Sequence, residues 1–214
     1  MDKDNRQLVE TITRLVVETL ENVNPCVPIG VTNRHCHLSR EDRDVLFGKG
    51  SELTWKKDLG QPGQYAAEEV VSVQGAKGRI DRVRVLGPLR GQTQVEISVS
   101  DGFTLGVTPP VRESGKLDAT PGIEVIGPRG SVMIDCGIIA AQRHIHMPPE
   151  TAALFGIADK ELVCVEVGDP KARGAVLQNV LVRVSDQYAL EMHLDLDEAN
   201  GLGVRNGDCA RLLK

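Results

Sequence analysis

The chain has 214 residues, a formal net charge of −5 and 41% hydrophobic residues. This length suits one large domain or two small ones, and the core is expected to be aliphatic because only three Phe, two Tyr and one Trp are present. The net negative charge argues against nucleic acid as the main partner. The lack of an eighteen-residue apolar run argues against a membrane-spanning helix, and the N-terminus lacks the apolar core of a secretory signal.

Residues 5–23 form the longest helical pattern, and the pattern is amphipathic. The following apolar residues fall on one stripe, with the charged residues away from it: Leu8, Ile12, Leu15, Val16, Leu20 and Val23. Asn24-Pro25 ends the pattern, because a residue before proline disfavours helix. Two interpretations stay open: a helix docked on its own domain, and a detachable helix that binds a partner groove or self-associates.

The first histidine pair, His35 and His37, follows a predicted strand at residues 27–34. Side chains alternate along a strand, so a His-x-His sequence places both imidazoles on one face and Cys36 on the opposite, buried face. Residues 39–42 match a capping box and predict a short helix that ends at Phe47. The irregular stretch 51–69 that follows is a lid, an inter-domain arm or an ordinary surface loop.

After this helix the chain is predicted to be mostly strand and turn. The predicted strands are short and rich in Val and Ile, and Gly, Pro or Asp residues separate many of them. They cover residues 70–73, 80–86, 94–99, 123–126, 131–139, 162–167, 176–184, 190–193 and 209–212. Regular short strands of this kind are typical of β-barrels.

All five histidines belong to one recurring unit. The second copy opens with His144 and His146, and the third has His193 alone. An offset of 47 residues relates the second copy to the third at several positions: His146 to His193, Glu150 to Asp197, and Gly156 to Gly203. Because imidazole is the commonest metal ligand near neutral pH, the repeat predicts a site for one or two divalent metals. The alternative is that these are ordinary surface or core histidines on half-buried strands.

Residues 87–98 add two candidate site residues, Arg90 and Glu96. Glu96 lies between Val95 and Ile97 and so faces away from them on a strand. Near a His-x-His pair it would complete a His₂Glu metal site, and alone it would be a solvated carboxylate. Arg90 follows a Gly-Pro turn and could bind phosphate through its planar guanidinium. The chain has no Gly-x-Ser-x-Gly and no Walker loop, which argues against a serine hydrolase and an NTPase.

The five cysteines show no Cys-x-x-Cys spacing. This usage indicates a reducing compartment in which the thiols serve mostly as small core residues.

Several separate motifs resemble the PduL-type phosphotransacylases, in the order that this family has them. They are residues 31–39 (VTNRHCHLS), 61–66 (QPGQYA), 86–98 (LGPLRGQTQVEIS) and 143–150 (RHIHMPPE), and the likeness covers about residues 27–214. The resemblance implies acyl transfer between acyl-CoA and phosphate, with two zinc ions per chain between two β-barrels.

The resemblance also implies roles for individual residues. His35, His37 and Glu96 would hold one zinc; His144, His146 and His193 would hold the other. Arg90 would bind phosphate. Coenzyme A would contact Thr32, Lys57, Arg84, Leu86, Phe103 and Asn200. For Lys57 and Arg84 the alternative is ordinary surface charge, and for Phe103 it is core packing.

The predicted fold is mainly β (α+β), with two β-barrel domains capped by short helices. The expected domains are the N-terminal helix at 1–23, a first barrel from 24–33 plus 142–214, and a second barrel from 34–141. A homo-oligomer is expected in the bacterial cytoplasm. By resemblance, residues 5–23 would direct the chain to the lumen of a bacterial microcompartment through shell or cargo proteins. The alternative functions are a dizinc hydrolase and a non-catalytic, zinc-stabilised microcompartment protein.

Overall fold

The computed structural model describes residues 26–213, so the amphipathic helix predicted at residues 5–23 lies outside the described residues. The strands are β1 Cys26–Thr32, β2 His35–His37, β3 Trp55–Asp58, β4 Tyr65–Gln74, β5 Arg79–Gly87, β6 Gln94–Glu96, β7 Val111–Arg112, β8 Ile123–Ile126, β9 Ser131–Ile134, β10 Ile138–Ala141, β11 His144–Met147, β12 Leu162–Val167, β13 Ala175–Val184, β14 Glu191–Asp195 and β15 Cys209–Leu213. The helices are α1 Arg40–Phe47, α2 Val99–Leu105, α3 Pro149–Phe155 and α4 Leu196–Leu202.

The strands form two sheets. One is a closed barrel with the order β1-β14-β11-β13-β12-β15. The other is a curled half-barrel with the order β7-β10-β6-β2-β5-β4-β8-β9, and β3 pairs with β4. The predicted fold class, mainly β with short helices, is confirmed, with one barrel closed and its counterpart open.

Each sheet encloses its own core. Val27, Ile145 and Leu194 belong to the core of the barrel, and Cys36 and Val95 belong to that of the half-barrel. Aliphatic residues dominate both cores, as the shortage of aromatic residues predicts. The two strands that carry histidine pairs therefore pack their alternate side chains into separate cores.

A strand that carries a candidate ligand at or near its C-terminal end leads into each of the four helices described. The N-cap residue always lies two positions after that ligand: Ser39 after His37, Ser98 after Glu96, Pro148 after His146 and Asp195 after His193. A glycine ends every helix, and Gly106, Gly156 and Gly203 have φ values of 75°, 64° and 69°, in the left-handed region that glycine tolerates best. The sequence repeat therefore has a fourth copy, which starts at Glu96.

Several predicted boundaries are wrong. The strand predicted at residues 94–99 ends at Glu96, because Ser98 and Asp101 form a capping box that starts α2. The strand predicted at residues 131–139 splits into β9 and β10, and Gly137 between them has φ 136°. The irregular stretch 51–69 contains β3, which pairs with β4.

The expectation that the cysteines are reduced thiols in the core is correct for only some of them. Cys36 is fully buried. Cys26 and Cys209 are instead exposed, and a disulfide joins them across β1 and β15. Within residues 26–213, none of the helices is long and apolar enough to cross a membrane.

Candidate active site

The first candidate metal cluster consists of His35, His37 and Glu96. Antiparallel pairing of β2 with β6 sets Glu96 directly opposite His35. The Nε2 atom of His35 lies 3.4 Å from Oε2 of Glu96, and all three side chains are buried. The Nδ1–H of His35 donates to the carbonyl of Asn33 at 2.9 Å, which leaves the Nε2 lone pair facing the cluster.

The second cluster consists of His144, His146 and His193. Antiparallel pairing of β11 with β14 sets His193 opposite His144. The Nε2 atoms of His144 and His146 are 3.0 Å apart, and the three ring centroids are 4.7–5.0 Å from one another. The Nδ1–H of His144 donates to the carbonyl of Gln142 at 2.8 Å, just as His35 does to Asn33.

The two clusters are therefore built by the same local rule. In each, the first histidine of the pair anchors its ring on the carbonyl two residues earlier, and the third ligand comes from the antiparallel neighbour strand. Cys36 and Ile145, the residues between the paired histidines, have no exposed surface, as strand alternation predicts. Glu96 occupies in the first cluster the place that His193 occupies in the second.

Burial keeps most of these histidines neutral. Loss of hydration lowers the pKa of His37 to about 3, that of His144 to about 4 and that of His146 to about 2. Burial also disfavours the imidazolium of His35, but the charge and hydrogen bond of Glu96 outweigh it and raise the pKa of His35. Burial likewise opposes ionisation of Glu96, but His35 holds its pKa below the usual range. Metal binding requires neutral imidazoles and an ionised carboxylate. His37, His144, His146 and Glu96 favour these states, whereas His35 must give up a proton that Glu96 stabilises.

The donor sets fit zinc. In each cluster one ligand atom per residue lies within 4.8 Å of the others. His₂Glu and His₃ are both ligand sets of three-ligand zinc sites, which leave one position open for a substrate. The Nδ1 atoms of His37 and His146 are buried and have no hydrogen-bond partner among residues 26–213.

Hydrogen bonds from neighbouring side chains fix the carboxylate of Glu96. Its Oε1 accepts a hydrogen bond from Ser114 Oγ at 2.9 Å and another from Gln94. Arg90 joins this network, because its Nη1 donates to Ser114 Oγ at 3.0 Å. Desolvation lowers the pKa of Arg90, whereas Glu96 opposes that change.

Both clusters face one cavity of about 800 Å³ between the barrel and the half-barrel. Among the predicted coenzyme A contacts, Thr32, Lys57, Arg84 and Leu86 line this cavity, as Arg90 does. Arg84 also donates to the carbonyls of residues 67 and 68, at 2.9 and 2.8 Å. A cavity of this size between two units is a usual place for a small-molecule site.

Two predicted coenzyme A contacts lie away from the cavity. Phe103 is on α2 with 78% of its surface exposed, so the alternative of core packing is wrong, whereas its contact with coenzyme A stays a prediction. Asn200 is exposed on α4. Neither residue lines the cavity, and both lie on helices that follow strands with candidate ligands.

The sequence interpretation missed several polar residues of the cavity. Glu191 lies two positions before His193, and its Oε2 is 2.8 Å from Nε2 of that histidine. Strand alternation could have found it, since residues i and i+2 share a face. Gln61 reaches Glu191 from the half-barrel at 3.0 Å. Arg183 and Tyr188 also line the cavity, and no local motif marks them.

Comparison with known proteins gives consistent matches. The family model described as "Phosphate propanoyltransferase" matches residues 28–205. Several relatives carry that same name. The one from Rhodopseudomonas palustris is 51% identical and covers 96% of this chain and 97% of its own length. The one from Rhodobacter capsulatus is 52% identical (98% and 96%), and the one from Thermotoga maritima is 53% identical (89% and 90%).

Proposed function

The chain belongs to the phosphate propanoyltransferase family and is a phosphate acyltransferase; from this premise we propose that it exchanges a short acyl group between coenzyme A and phosphate at a site with two zinc ions. Propanoyl-CoA and acetyl-CoA are the proposed acyl donors. The observation that carries the proposal is that two buried three-ligand clusters face one cavity. The proposed domains are those expected from the sequence, residues 24–33 plus 142–214 and residues 34–141.

The reaction joins phosphate to the acyl carbon. A phosphate oxygen attacks the thioester carbonyl, a C–O bond forms and the C–S bond breaks. Coenzyme A leaves as a thiolate, which takes up the proton that the phosphate hydroxyl releases. Cys36 is a poor candidate for a covalent nucleophile, because it lies behind the ligands and burial raises its pKa.

His35, His37 and Glu96 are the proposed ligands of one zinc; His144, His146 and His193 are those of the other. When bound, zinc supplies positive charge that stabilises the developing oxyanion and the leaving thiolate. The protein contributes ligands whose rings and carboxylate are already oriented by Asn33, Gln142 and Ser114.

Arg90 is the proposed phosphate ligand. Its side chain lines the cavity, and its hydrogen bond to Ser114 holds it beside Glu96. A guanidinium can offer two parallel donors to phosphate and keeps its charge at neutral pH. Bound in this way, phosphate is held close to the acyl carbon that it attacks.

The proposed coenzyme A site uses the cavity wall formed by Thr32, Lys57, Arg84 and Leu86. Lys57 and Arg84 can pair with the phosphates of the coenzyme A tail. Phe103 and Asn200 do not line the cavity, and they stay predicted contacts of coenzyme A.

The amphipathic segment at residues 5–23 supports a further part of the proposal, which concerns assembly. We propose that it directs the enzyme to shell or cargo proteins of a bacterial microcompartment and that the enzyme is a homo-oligomer. The support is the apolar stripe in the sequence and its position before the first strand of the barrel.

The test is release of coenzyme A from propanoyl-CoA and acetyl-CoA, measured with and without phosphate. Acyl phosphate is trapped as a hydroxamate in the same samples. We expect release that depends on phosphate and an equal yield of acyl phosphate. A dizinc hydrolase with the same ligands would release coenzyme A without phosphate, and a purely structural zinc protein would release none.

A further inference from the structure

Arg183 lies on the barrel side of the cavity, next to the second histidine cluster. Parallel pairing of β11 with β13 sets Arg183 beside His146. The side chain is 20% exposed and lines the same cavity as Arg90, which comes from the half-barrel. The two arginines therefore line one cavity from opposite units, Arg183 from a strand of the barrel and Arg90 from the loop between β5 and β6.

The equivalent position in the first cluster holds no charge. The pairing of β2 with β5 sets Arg84 beside His35 and Val85 beside Cys36, so continuation of this register sets Leu86 beside His37. The repeated unit therefore does not require an arginine at this place. Burying a charged side chain costs free energy unless a partner compensates the charge. The role of Arg183 therefore depends on which group pairs with it.

Contacts within residues 26–213 leave Arg183 only partly satisfied. Its Nε lies 3.5 Å from Oε1 of Glu113, which is long for a hydrogen bond, and this Nε–H is buried without a hydrogen-bond partner there. Glu113 is shared with Lys160 and with Lys116, whose Nζ lies at 2.7 Å. Glu113 therefore fixes Arg183 weakly and leaves donors free for a ligand.

The ring of Tyr188 supports the guanidinium in the cavity. The central carbon of Arg183 is 5.6 Å from the centroid of this ring, within the range of a cation–π contact. The same ring packs against His146, with centroids 4.2 Å apart. Arg183 is thus held at the edge of the second cluster.

The electrostatics of the cavity favour an anion between the two arginines. The positive charge of Arg183 contributes to the lowered pKa of Arg90, although desolvation contributes more and Glu96 opposes both. Two cations that face one cavity destabilise each other unless an anion binds near them. An oxygen-rich anion in the cavity could accept hydrogen bonds from a guanidinium fork.

We propose that Arg183 is a second phosphate-binding residue, which holds the reacting phosphate together with Arg90. This inference rests on the proposed function. The reacting phosphate is favoured over the phosphates of coenzyme A because Arg183 borders a proposed metal cluster. The phosphates of coenzyme A are separated from its sulfur by the pantetheine arm, so they lie away from that cluster when the thioester is bound there.

The test uses Arg183→Gln and Arg183→Lys in the full-length, zinc-loaded protein. We expect Arg183→Gln to raise the KM for inorganic phosphate about 10- to 100-fold, because the variant loses charge-assisted hydrogen bonds to phosphate. The KM for propanoyl-CoA is expected to stay within about threefold, and calorimetry of inorganic phosphate binding is expected to show the same loss of affinity. Arg183→Lys should lie between this variant and the wild type, because an ammonium keeps the charge and loses the planar fork.

Arg129→Gln is the matched control, since Arg129 is exposed in the turn between β8 and β9. It should leave both KM values unchanged. Equal rises of both KM values, or an unchanged KM for phosphate, would overturn the inference. If Arg183→Gln does not fold, Arg183→Lys decides, and wild-type phosphate kinetics in that variant would also overturn it.

The proposed function and this inference fail in different ways. A wild-type protein that releases coenzyme A without any need for phosphate contradicts the proposed function. The calorimetric measurement needs no turnover, so it still tests whether Arg183 binds phosphate. Wild-type calorimetric affinity in both Arg183 variants contradicts the inference alone.

Discussion

Replacing Glu96 with Gln tests whether the two clusters bind metal independently. Glu96 is 9% exposed, its Oε2 lies 3.4 Å from His35 Nε2, and its Oε1 accepts from Ser114 at 2.9 Å. Glutamine has nearly the same shape, but it removes the negative charge from the first cluster. One of its two carboxylate oxygens is also replaced by an NH₂ group, which can only donate.

The magnitude follows from the burial of the carboxylate. Removing one partner of a buried charged pair costs about 3–5 kcal/mol. At about 1.4 kcal/mol per factor of ten, metal binding at the first cluster should weaken about 100- to 4,000-fold. The second cluster should keep its affinity, because His144, His146 and His193 lie on the barrel sheet. Zinc content should therefore fall from about two to about one per chain, and phosphate-dependent release of coenzyme A should fall with it.

The assay is metal content after dialysis, combined with competition against a chromophoric chelator. Glu166→Gln is the matched control, because Glu166 pairs with Arg211 at 3.1 Å on a strand position that alternates with the buried residues Val165 and Val167. Circular dichroism establishes that both variants fold. Retention of about two zinc per chain by Glu96→Gln, with unchanged affinity in the competition, would refute the assignment of Glu96 as a ligand.

Three further predictions concern phosphate, pH and the N-terminal segment. Arg90→Ala should weaken phosphate use by roughly 2–5 kcal/mol and should affect acyl-CoA use far less; an unchanged KM for phosphate and unchanged turnover would mean that Arg90 is only solvated. The metal-free protein should lose unfolding free energy as the pH falls from 6.5 towards 4, because His37, His144 and His146 have pKa values of about 3, 4 and 2 when folded and 6.5 when unfolded. Each of these histidines contributes a slope of about 1.4 kcal/mol per pH unit in that window, and urea denaturation at a series of pH values measures it; a flat profile would contradict the burial of neutral imidazoles. Deletion of residues 1–23 should leave coenzyme A release largely intact and should alter particle size or targeting; loss of both activity and folding would mean that the segment belongs to the core.

Local sequence patterns determined the parts of the site that depend on strand alternation. Two His-x-His sequences with Val- and Ile-rich flanks suffice to predict paired imidazoles on one face, with Cys36 and Ile145 in the cores behind them. The offset of 47 residues likewise predicted that His193 starts a unit like that of His146. The same rule could have extended the repeat to Glu96, since Ser98 and Asp101 carry a capping signal and Gly106 ends the helix.

Tertiary structure decided which residues meet across strands. Glu96 joins His35 and His37 because β6 pairs with β2, and His193 joins the other pair because β14 pairs with β11. Arg183 enters the cavity only through the pairing of β13 with β11.

These pairings connect segments far apart in the chain, and neither local periodicity nor capping residues encode which strand becomes the neighbour of which. The closure of one sheet and the opening of the other depend in the same way on the register of whole sheets. The sequence by itself therefore determined the chemistry of the individual ligands and the strands that carry them. The division of these candidate ligands into two clusters was implied by the family resemblance and by no local pattern; the tertiary structure shows the strand pairings that produce it and the cations that share the cavity.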